Sequence, residues 1–136
     1  MKYSILLLIA FAGSAFAELE PPAIVTDGLN AYWRNGGKAA WSVWVKGSSL
    51  EYELPTDAFA GIEKAYGRMI GFETIRVTPV CPSMQRVYML VKYERGPAYF
   101  SFDCYKTERD WIIPIMCYNT KPAAVLPERL LLGEGK

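Results

Sequence analysis

The sequence predicts an α+β domain in which N-terminal helices pack on a curved antiparallel sheet of four or five strands. Four apolar, aromatic-rich runs follow one another between residues 72 and 118, with only short polar breaks, which is typical of an antiparallel meander. Before residue 71, apolar side chains recur at helical spacing instead. A helix or a sheet that is apolar on one side buries that side. We therefore expect the helices to cover one face of the sheet.

The start of the chain has the pattern of a secretory signal peptide, residues 1–17. Lys2 gives a positive start, residues 5–12 form an apolar core, and Ala-Phe-Ala at residues 15–17 supplies a small-x-small cleavage site. The apolar run is well short of the ~20 residues that a spanning helix requires. We therefore expect cleavage before Glu18 and a secreted, periplasmic mature chain that is soluble and not attached to a membrane.

The mature chain is predicted to be one domain. Removing 17 of the 136 residues leaves 119, enough for a hydrophobic core, and we assign residues 18–121 to the domain and residues 122–136 to a C-terminal tail. Without Lys2 the chain has 14 basic and 14 acidic residues, interspersed along its length. Nucleic acid and an anionic membrane surface are therefore not expected as partners, because phosphate binding shows a clustered Lys/Arg footprint.

Two helices are predicted before residue 47. The first follows the prolines at 21–22 and ends at Asn-Gly-Gly, residues 35–37, which tolerate the left-handed backbone that terminates a helix. Its apolar stripe is Ile24, Val25, Gly28, Leu29, Tyr32 and Trp33. Residues 38–46 fit both a helix and an alternating strand, and the two alanines there favour a short helix.

A short strand and a third helix are predicted to precede the meander. Residues 50–54 alternate apolar and charged side chains, as in a half-exposed strand. Pro-Thr-Asp at residues 55–57 is typical of a helix start, and the apolar stripe that follows predicts a helix ending at Gly71. Gly61 and Gly67 within this helix suggest a close backbone approach to the sheet.

The strands of the meander are predicted at residues 72–78, 86–94, 98–106 and 111–118. Pro79 and Pro82 indicate a longer first loop, since neither fits inside a central strand. Pro114 indicates a bulge or a sheet edge in the last strand. For the tail we expect a docked turn followed by a frayed end.

Three cysteines remain after export, which permits one disulfide. Cys81 and Cys104 fall at the same end of the predicted sheet, whereas Cys117 falls near the opposite end. If a disulfide forms, we expect it between Cys81 and Cys104, which requires the loop at Cys81 to close the distance across one intervening strand. The alternative is that all three cysteines are small buried apolar residues.

The order helix, helix, short strand, helix and four-stranded meander resembles the nuclear transport factor 2-like superfamily, which includes ketosteroid isomerase and polyketide cyclases. The aromatic runs Tyr-Phe-Ser-Phe at residues 99–102 and Trp-Ile-Ile-Pro at residues 111–114 also fit its final strands. The resemblance implies a curved sheet that encloses a pocket with the helices, and a homodimer formed through the outer sheet face.

Enzymes of that superfamily use a pocket Asp or His as a proton-transfer base. This sequence has no histidine, and Asp103 is the one aspartate embedded in a predicted strand. An inward-facing Asp103 beside a tyrosine would have a raised pKa and could transfer a proton. The alternative is that Asp103 faces solvent or pairs across strands with Lys92 or Arg86.

From residue 50 onward, strand, helix and four strands also resemble the cystatins, which insert a Q-x-V-x-G hairpin into a protease cleft. That motif is absent from the equivalent loop, residues 78–85. Motifs for nucleotide binding, serine hydrolases and zinc are absent too, and the acidic residues are scattered singly. Without histidine, a His-activated Ser or Cys nucleophile is excluded, and we expect no metal and no cofactor.

The sequence therefore predicts a non-catalytic binding or assembly domain with a pocket for a small apolar ligand between helices and sheet. The candidate pocket residues are Trp33, Trp41, Trp44, Tyr66, Tyr88 and Tyr105. The alternative for the tryptophans is an ordinary place in the core. The alternative functions are a small proton-transfer enzyme that uses Asp103 and a tyrosine, and a cystatin-like protease inhibitor.

Overall fold

The computed structural model describes residues 19–52 and 59–133. Three helices precede the sheet: α1 (Ala23–Asn35), α2 (Gly37–Trp44) and α3 (Ala60–Tyr66). The strands are β1 (Met69–Cys81), β2 (Met84–Tyr93), β3 (Gly96–Lys106) and β4 (Trp111–Asn119), and a short helix, α4 (Glu128–Leu131), follows in the tail. The predicted signal peptide, the end of the strand at 50–54 and the helix start at 55–57 lie outside the described residues.

The four strands form one antiparallel sheet in the order β1-β2-β3-β4, so each strand pairs with its neighbour in sequence. The predicted α+β class, with helices before a meander, is confirmed. All four strands were predicted, and each extends one to three residues beyond one or both of its predicted ends. The helix predicted from the mixed pattern at residues 38–46 is also confirmed, as α2.

The core lies between the helices and one face of the sheet, the inner face. Alternate residues of the two central strands point there and are buried, as the period of two in a strand requires. In β2 and β3 the inner-face residues that are completely buried are Val87, Met89, Val91, Ala98, Phe100, Phe102 and Cys104. The helices contribute Val25, Leu29, Ala40 and Trp44 to the same cluster.

A cluster of aromatic rings fills the space between the helices and the sheet. Trp44 of α2 lies 5.1 Å from Phe102 and 6.1 Å from Phe100, measured between ring centroids. Phe59, which directly precedes α3, stacks on Phe100 at 5.8 Å and lies 5.0 Å from Tyr118. These side chains occupy the region in which the resemblance implied a pocket.

Glycines determine how α1 and α2 meet. Gly36 has a φ of 91° and separates the two helices, as the predicted Asn-Gly-Gly stop requires. Gly28 of α1 faces the indole ring of Trp44, and a Cβ atom at Gly28 would overlap that ring. The Trp44 Nε1–H donates to the carbonyl oxygen of Val25 at 3.2 Å, which ties α2 to α1.

The segment before the sheet differs from the prediction. Residues Ser49–Tyr52 form a 3-10 helix rather than the first part of a strand. The third helix ends at Gly67, with a φ of 86°, instead of Gly71, and Met69 and Ile70 belong to β1 although their spacing continues the apolar stripe of the helix. A Cβ atom added at Gly61 would meet no strand residue within 4 Å, so the predicted close approach of this glycine to the sheet is wrong.

Pro79 and Pro114 lie on the two edge strands of the sheet, whereas Pro97 is the second residue of the central strand β3. β1 continues through Pro79 and turns directly into β2 at residues 82–83, so the predicted long first loop is wrong. An edge strand tolerates Pro because its N–H need not pair, and β1 is irregular in register between Pro79 and Cys81. Pro114 lies in β4, the other edge, beside a register shift in its pairing with β3, as predicted.

The tail contains a 3-10 turn, Pro122–Ala124, and then α4, with the side chain of Leu126 buried between them. Over residues 19–52 and 59–133, no helix has the length and apolar character needed to cross a membrane.

Candidate functional site

A cleft with a volume of about 510 Å³ lies between the helix layer and the turn that joins β3 to β4. α1, α2 and the turn after α2 form one wall, with Ala23, Ile24, Asp27, Val43, Lys46 and Gly47. The β3–β4 turn and the start of β4 form the other, with Thr107, Arg109, Asp110, Trp111 and Ile112. The volume falls within the range of about 300–1,000 Å³ that is common for small-molecule sites.

The cleft combines apolar side chains with charges of both signs. Ile24 and Val43 face it from the helices, and Trp111 faces it from β4. Each wall also contributes one acidic and one basic side chain, which are Asp27, Lys46, Arg109 and Asp110. None of these four forms an ion pair with another described residue, so all four are free to interact with a ligand.

The threonine of the β3–β4 turn fixes the backbone of the turn. Thr107 Oγ1 donates to the carbonyl oxygen of Asp110 at 2.9 Å and accepts from the N–H groups of Arg109 and Asp110 at 3.2 and 3.1 Å. The Thr107 N–H also donates to the Asp110 carbonyl oxygen, at 2.9 Å. This bonding holds the three residues in place, so the side chains of Arg109 and Asp110 leave the turn from a defined backbone.

The indole ring of Trp111 is restrained by a lysine on the neighbouring strand, β3. Lys106 is the cross-strand partner of Trp111, and its Nζ lies 5.9 Å from the centroid of the indole ring. A cation at this distance attracts the ring weakly and restrains it. The indole is therefore a partly fixed apolar surface within the cleft.

The six predicted pocket residues are not brought together, and none of them lines this cleft. Trp44 is completely buried in the aromatic cluster, and Tyr66 packs against the core beside Gly96. Trp33 is exposed on α1, where it contacts Phe72. Tyr88 and Tyr105 lie on the outer face of the sheet, and Trp41 is half-buried on α2. The rings expected to line one pocket are therefore spread over the core, the helices and the outer face of the sheet.

Asp103 also lies on the outer face. It is directly opposite Arg86 in the β2–β3 register, and the Arg86 Nε–H donates to its Oδ1 at 2.9 Å. The hydrogen bond and charge of Asp103 raise the pKa of Arg86. The proton-transfer mechanism requires an Asp103 that faces the interior, whereas this side chain faces outward. The cross-strand pair with Arg86 is the alternative that the sequence left open.

The three cysteines are free thiols. The disulfide between Cys81 and Cys104 is absent because Cys81 lies at the end of β1, Cys104 lies on β3, and β2 runs between them. Two strand spacings amount to about 9–10 Å, beyond the Cα separation of a disulfide. Only Cys104 is buried, so the alternative of three buried cysteines holds for that residue alone.

A hydrogen-bond chain of three side chains connects α1, β2 and α3. The hydroxyl of Tyr93 donates to Tyr32 Oη at 3.0 Å, and the hydroxyl of Tyr32 donates to Glu63 Oε1 at 2.8 Å. Burial raises the pKa of both phenols, that of Tyr93 to about 12. Both stay protonated near neutral pH, which suits a structural link and not a general base.

Within the described ranges, no group of three or more Cys, Asp and Glu side chains is arranged to hold a metal ion. Comparisons of the chain with known protein families, with curated proteins and with solved structures find no match. A function for this chain therefore rests on its own geometry.

The cleft residues were missed because the sequence contains little sign of them. They come from residues 23–27, 43–47 and 107–112, three segments that only the fold brings together. The turn at residues 107–110 was predicted as a connection between two strands, without a role in lining a cleft. The one usable signal was Trp111 beside Arg109 and Asp110, an aromatic residue next to two opposite charges.

Proposed function

We propose that the protein is a non-catalytic binding domain whose cleft between α1, α2 and the β3–β4 turn takes a small ligand with an apolar body. The single observation that carries this proposal is the cleft itself, with apolar Ile24, Val43 and Trp111 and four charges that pair with no other described residue. A few polar groups around an apolar lining are the usual composition of a small-molecule site.

The cleft does not lie where the sequence predicted a pocket, and its lining indicates a ligand of different chemistry. The expected pocket lay between helices and sheet and was to take a small apolar ligand, whereas aromatic rings cluster in that region. The observed cleft is at the end of the helix layer and has charged walls. The ligand is therefore amphipathic, with its apolar part against Trp111.

A thermal-shift assay tests the proposal. The purified mature protein is heated with indole, phenylacetate, phenethylamine and other small apolar compounds of each charge type. A ligand at about 100 times its Kd adds about 2.7 kcal/mol to the free energy of unfolding, which raises the melting temperature by several degrees.

Two tryptophan variants locate the binding. We expect Trp111→Ala to abolish the shift and Trp33→Ala, which alters an exposed tryptophan outside the cleft, to retain it. No shift with any compound of a broad panel, or a shift that survives Trp111→Ala, would contradict the proposal.

The alternative functions have less support. A proton-transfer enzyme would need another base, since Asp103 faces outward and is paired with Arg86. A cystatin-like inhibitor would need the Q-x-V-x-G motif in the hairpin that joins β1 to β2, and residues 78–85 lack it.

As a second candidate we propose assembly of two copies through the outer face near β4. Tyr105 and Ile115 are 48% and 54% exposed there, and β4 is an edge strand. Sedimentation velocity over a range of concentrations would detect the dimer. We expect Ile115→Glu to prevent it and Ile70→Glu, at an exposed isoleucine of the other edge strand, to leave it intact. A wild-type protein that stays monomeric at all concentrations would rule out this candidate.

We also propose that the protein is exported and acts in the periplasm. The support is the leader pattern of residues 1–17 in the sequence. In a bacterial host, the secreted product should begin at Glu18, which N-terminal mass spectrometry reads directly. A product that retains Lys2 would contradict export by cleavage.

A further inference from the structure

We infer that the ligand of the cleft is a small zwitterion with an apolar side chain, such as a free amino acid. This inference rests on the proposed binding function and names the chemical class of its ligand. The cleft has two acidic and two basic side chains, divided so that each wall carries one of each sign. That distribution discriminates between ligands of different charge.

The charges of the walls select against ligands with one charge or none. A simple anion that reaches Lys46 and Arg109 also approaches the carboxylates of Asp27 and Asp110, and a simple cation approaches the two basic groups in the same way. A neutral ligand forms no ion pair with any of the four charged side chains, which are all exposed, and so lacks the charge-assisted hydrogen bonds that a charged group makes.

A zwitterion satisfies both signs at once. Its carboxylate pairs with the basic side chains and its ammonium group with the acidic ones, and charge-assisted hydrogen bonds of this kind are the stronger ones. The apolar part of the ligand packs against Trp111, Ile24 and Val43. The turn held by Thr107 keeps the charged side chains of the hairpin on a fixed backbone, which lowers the cost of ordering them.

Four forms of one compound test the inference: L-phenylalanine, its N-acetyl derivative, its amide and the N-acetyl amide. They share a side chain and are a zwitterion, an anion, a cation and a neutral molecule. Each is titrated into the mature, isotopically labelled protein while NMR follows the indole N–H signal of Trp111, assigned with Trp111→Phe. We expect L-phenylalanine to shift that signal and to bind at least about tenfold more tightly than each of the other three forms.

Charge-neutralising variants assign the two halves of the recognition. Lys46→Gln with Arg109→Gln should remove the preference for L-phenylalanine over its amide, because the carboxylate no longer has a partner. Asp27→Asn with Asp110→Asn should remove the preference over the N-acetyl form. The matched controls are Lys64→Gln and Glu108→Gln, which change exposed residues outside the cleft and should leave both preferences intact. Melting curves confirm that each variant is folded.

The outcomes separate this inference from the proposed function. If the anion, the cation or the neutral form moves the Trp111 signal as strongly as L-phenylalanine, the zwitterion is refuted and the binding cleft stands. If none of the four forms moves the signal, the zwitterion is also refuted, and the thermal-shift panel then decides whether the cleft binds another class of molecule.

Discussion

At the scale of single residues, two helical glycines have opposite surroundings. Gly28 lies against the indole ring of Trp44, so its missing side chain allows α1 and α2 to approach closely. Around Gly61 in α3, no atom of the described residues beyond its own helix backbone and chain neighbours lies within 4 Å of the position of a Cβ atom. The first glycine is therefore required by packing, whereas the second only adds conformational freedom to the unfolded chain.

We predict opposite effects when each of these glycines is replaced by alanine. Gly28→Ala should lower the free energy of unfolding by about 1–3 kcal/mol, because the new methyl group displaces Trp44 and its bond to Val25. Gly61→Ala should raise it by about 0.5–1 kcal/mol. Urea denaturation measures both, and a Gly28→Ala protein as stable as the wild type would show that the helices can separate without cost.

At the scale of elements, the chain Tyr93–Tyr32–Glu63 joins the sheet to two helices. Tyr32 is its central member, since it accepts from Tyr93 and donates to Glu63. The ring of Tyr32 also lies 5.3 Å from the ring of Phe59, at the start of α3. The position of α3 against α1 therefore depends on this chain and on the contact with Phe59.

Removing hydroxyl groups from this chain should have graded effects. Tyr32→Phe leaves both neighbours without their partner and should cost about 1–3 kcal/mol, whereas Tyr93→Phe removes one bond and should cost about 1 kcal/mol. Tyr105→Phe, at an exposed tyrosine of the outer face, should stay within about 0.5 kcal/mol of the wild type. Equal losses for Tyr32→Phe and Tyr105→Phe in chemical denaturation would show that the buried chain adds no stability.

Elements with a clear period were predictable, and their ends were less so. In β2 and β3, buried and less buried residues alternate, and α1 has an apolar stripe, because each of these elements buries one face. The end of α3 was missed because Met69 and Ile70 continue its apolar spacing, although the left-handed backbone at Gly67 already stops the helix. The cleft was not predictable, because it depends on how the end of the helix layer meets the β3–β4 turn.

At the scale of the whole molecule, stability at alkaline pH depends on buried groups whose pKa values are raised, among them Cys104, Tyr93 and Tyr32. Burial, followed by the charge of Asp103, raises the pKa of Cys104 from 9.0 to about 12. Burial, with a contribution from Glu63 and opposed by the Tyr32 hydrogen bond, raises the pKa of Tyr93 from 10.0 to about 12. Since the fold favours the protonated forms, their stabilisation is complete below about pH 9 and is lost as the pH rises towards 12.

We therefore predict a melting temperature that is constant between about pH 7 and 8.5 and falls above pH 9. Cys104→Ala should move the start of this fall to about pH 10, where the buried tyrosines Tyr32 and Tyr93 titrate in the unfolded chain. Cys117→Ala, which removes an exposed thiol, should not change the pH dependence. The same onset in the Cys104 variant and the wild type would exclude the buried thiol as its cause.

The order β1-β2-β3-β4 has a further consequence for how quickly the protein reaches its native state. Every strand pairs with the next one in sequence, through turns of a few residues, so the sheet forms without closing a long loop. Sheets with such local contacts fold faster than those with distant pairings. With its three thiols free, folding does not wait for oxidation.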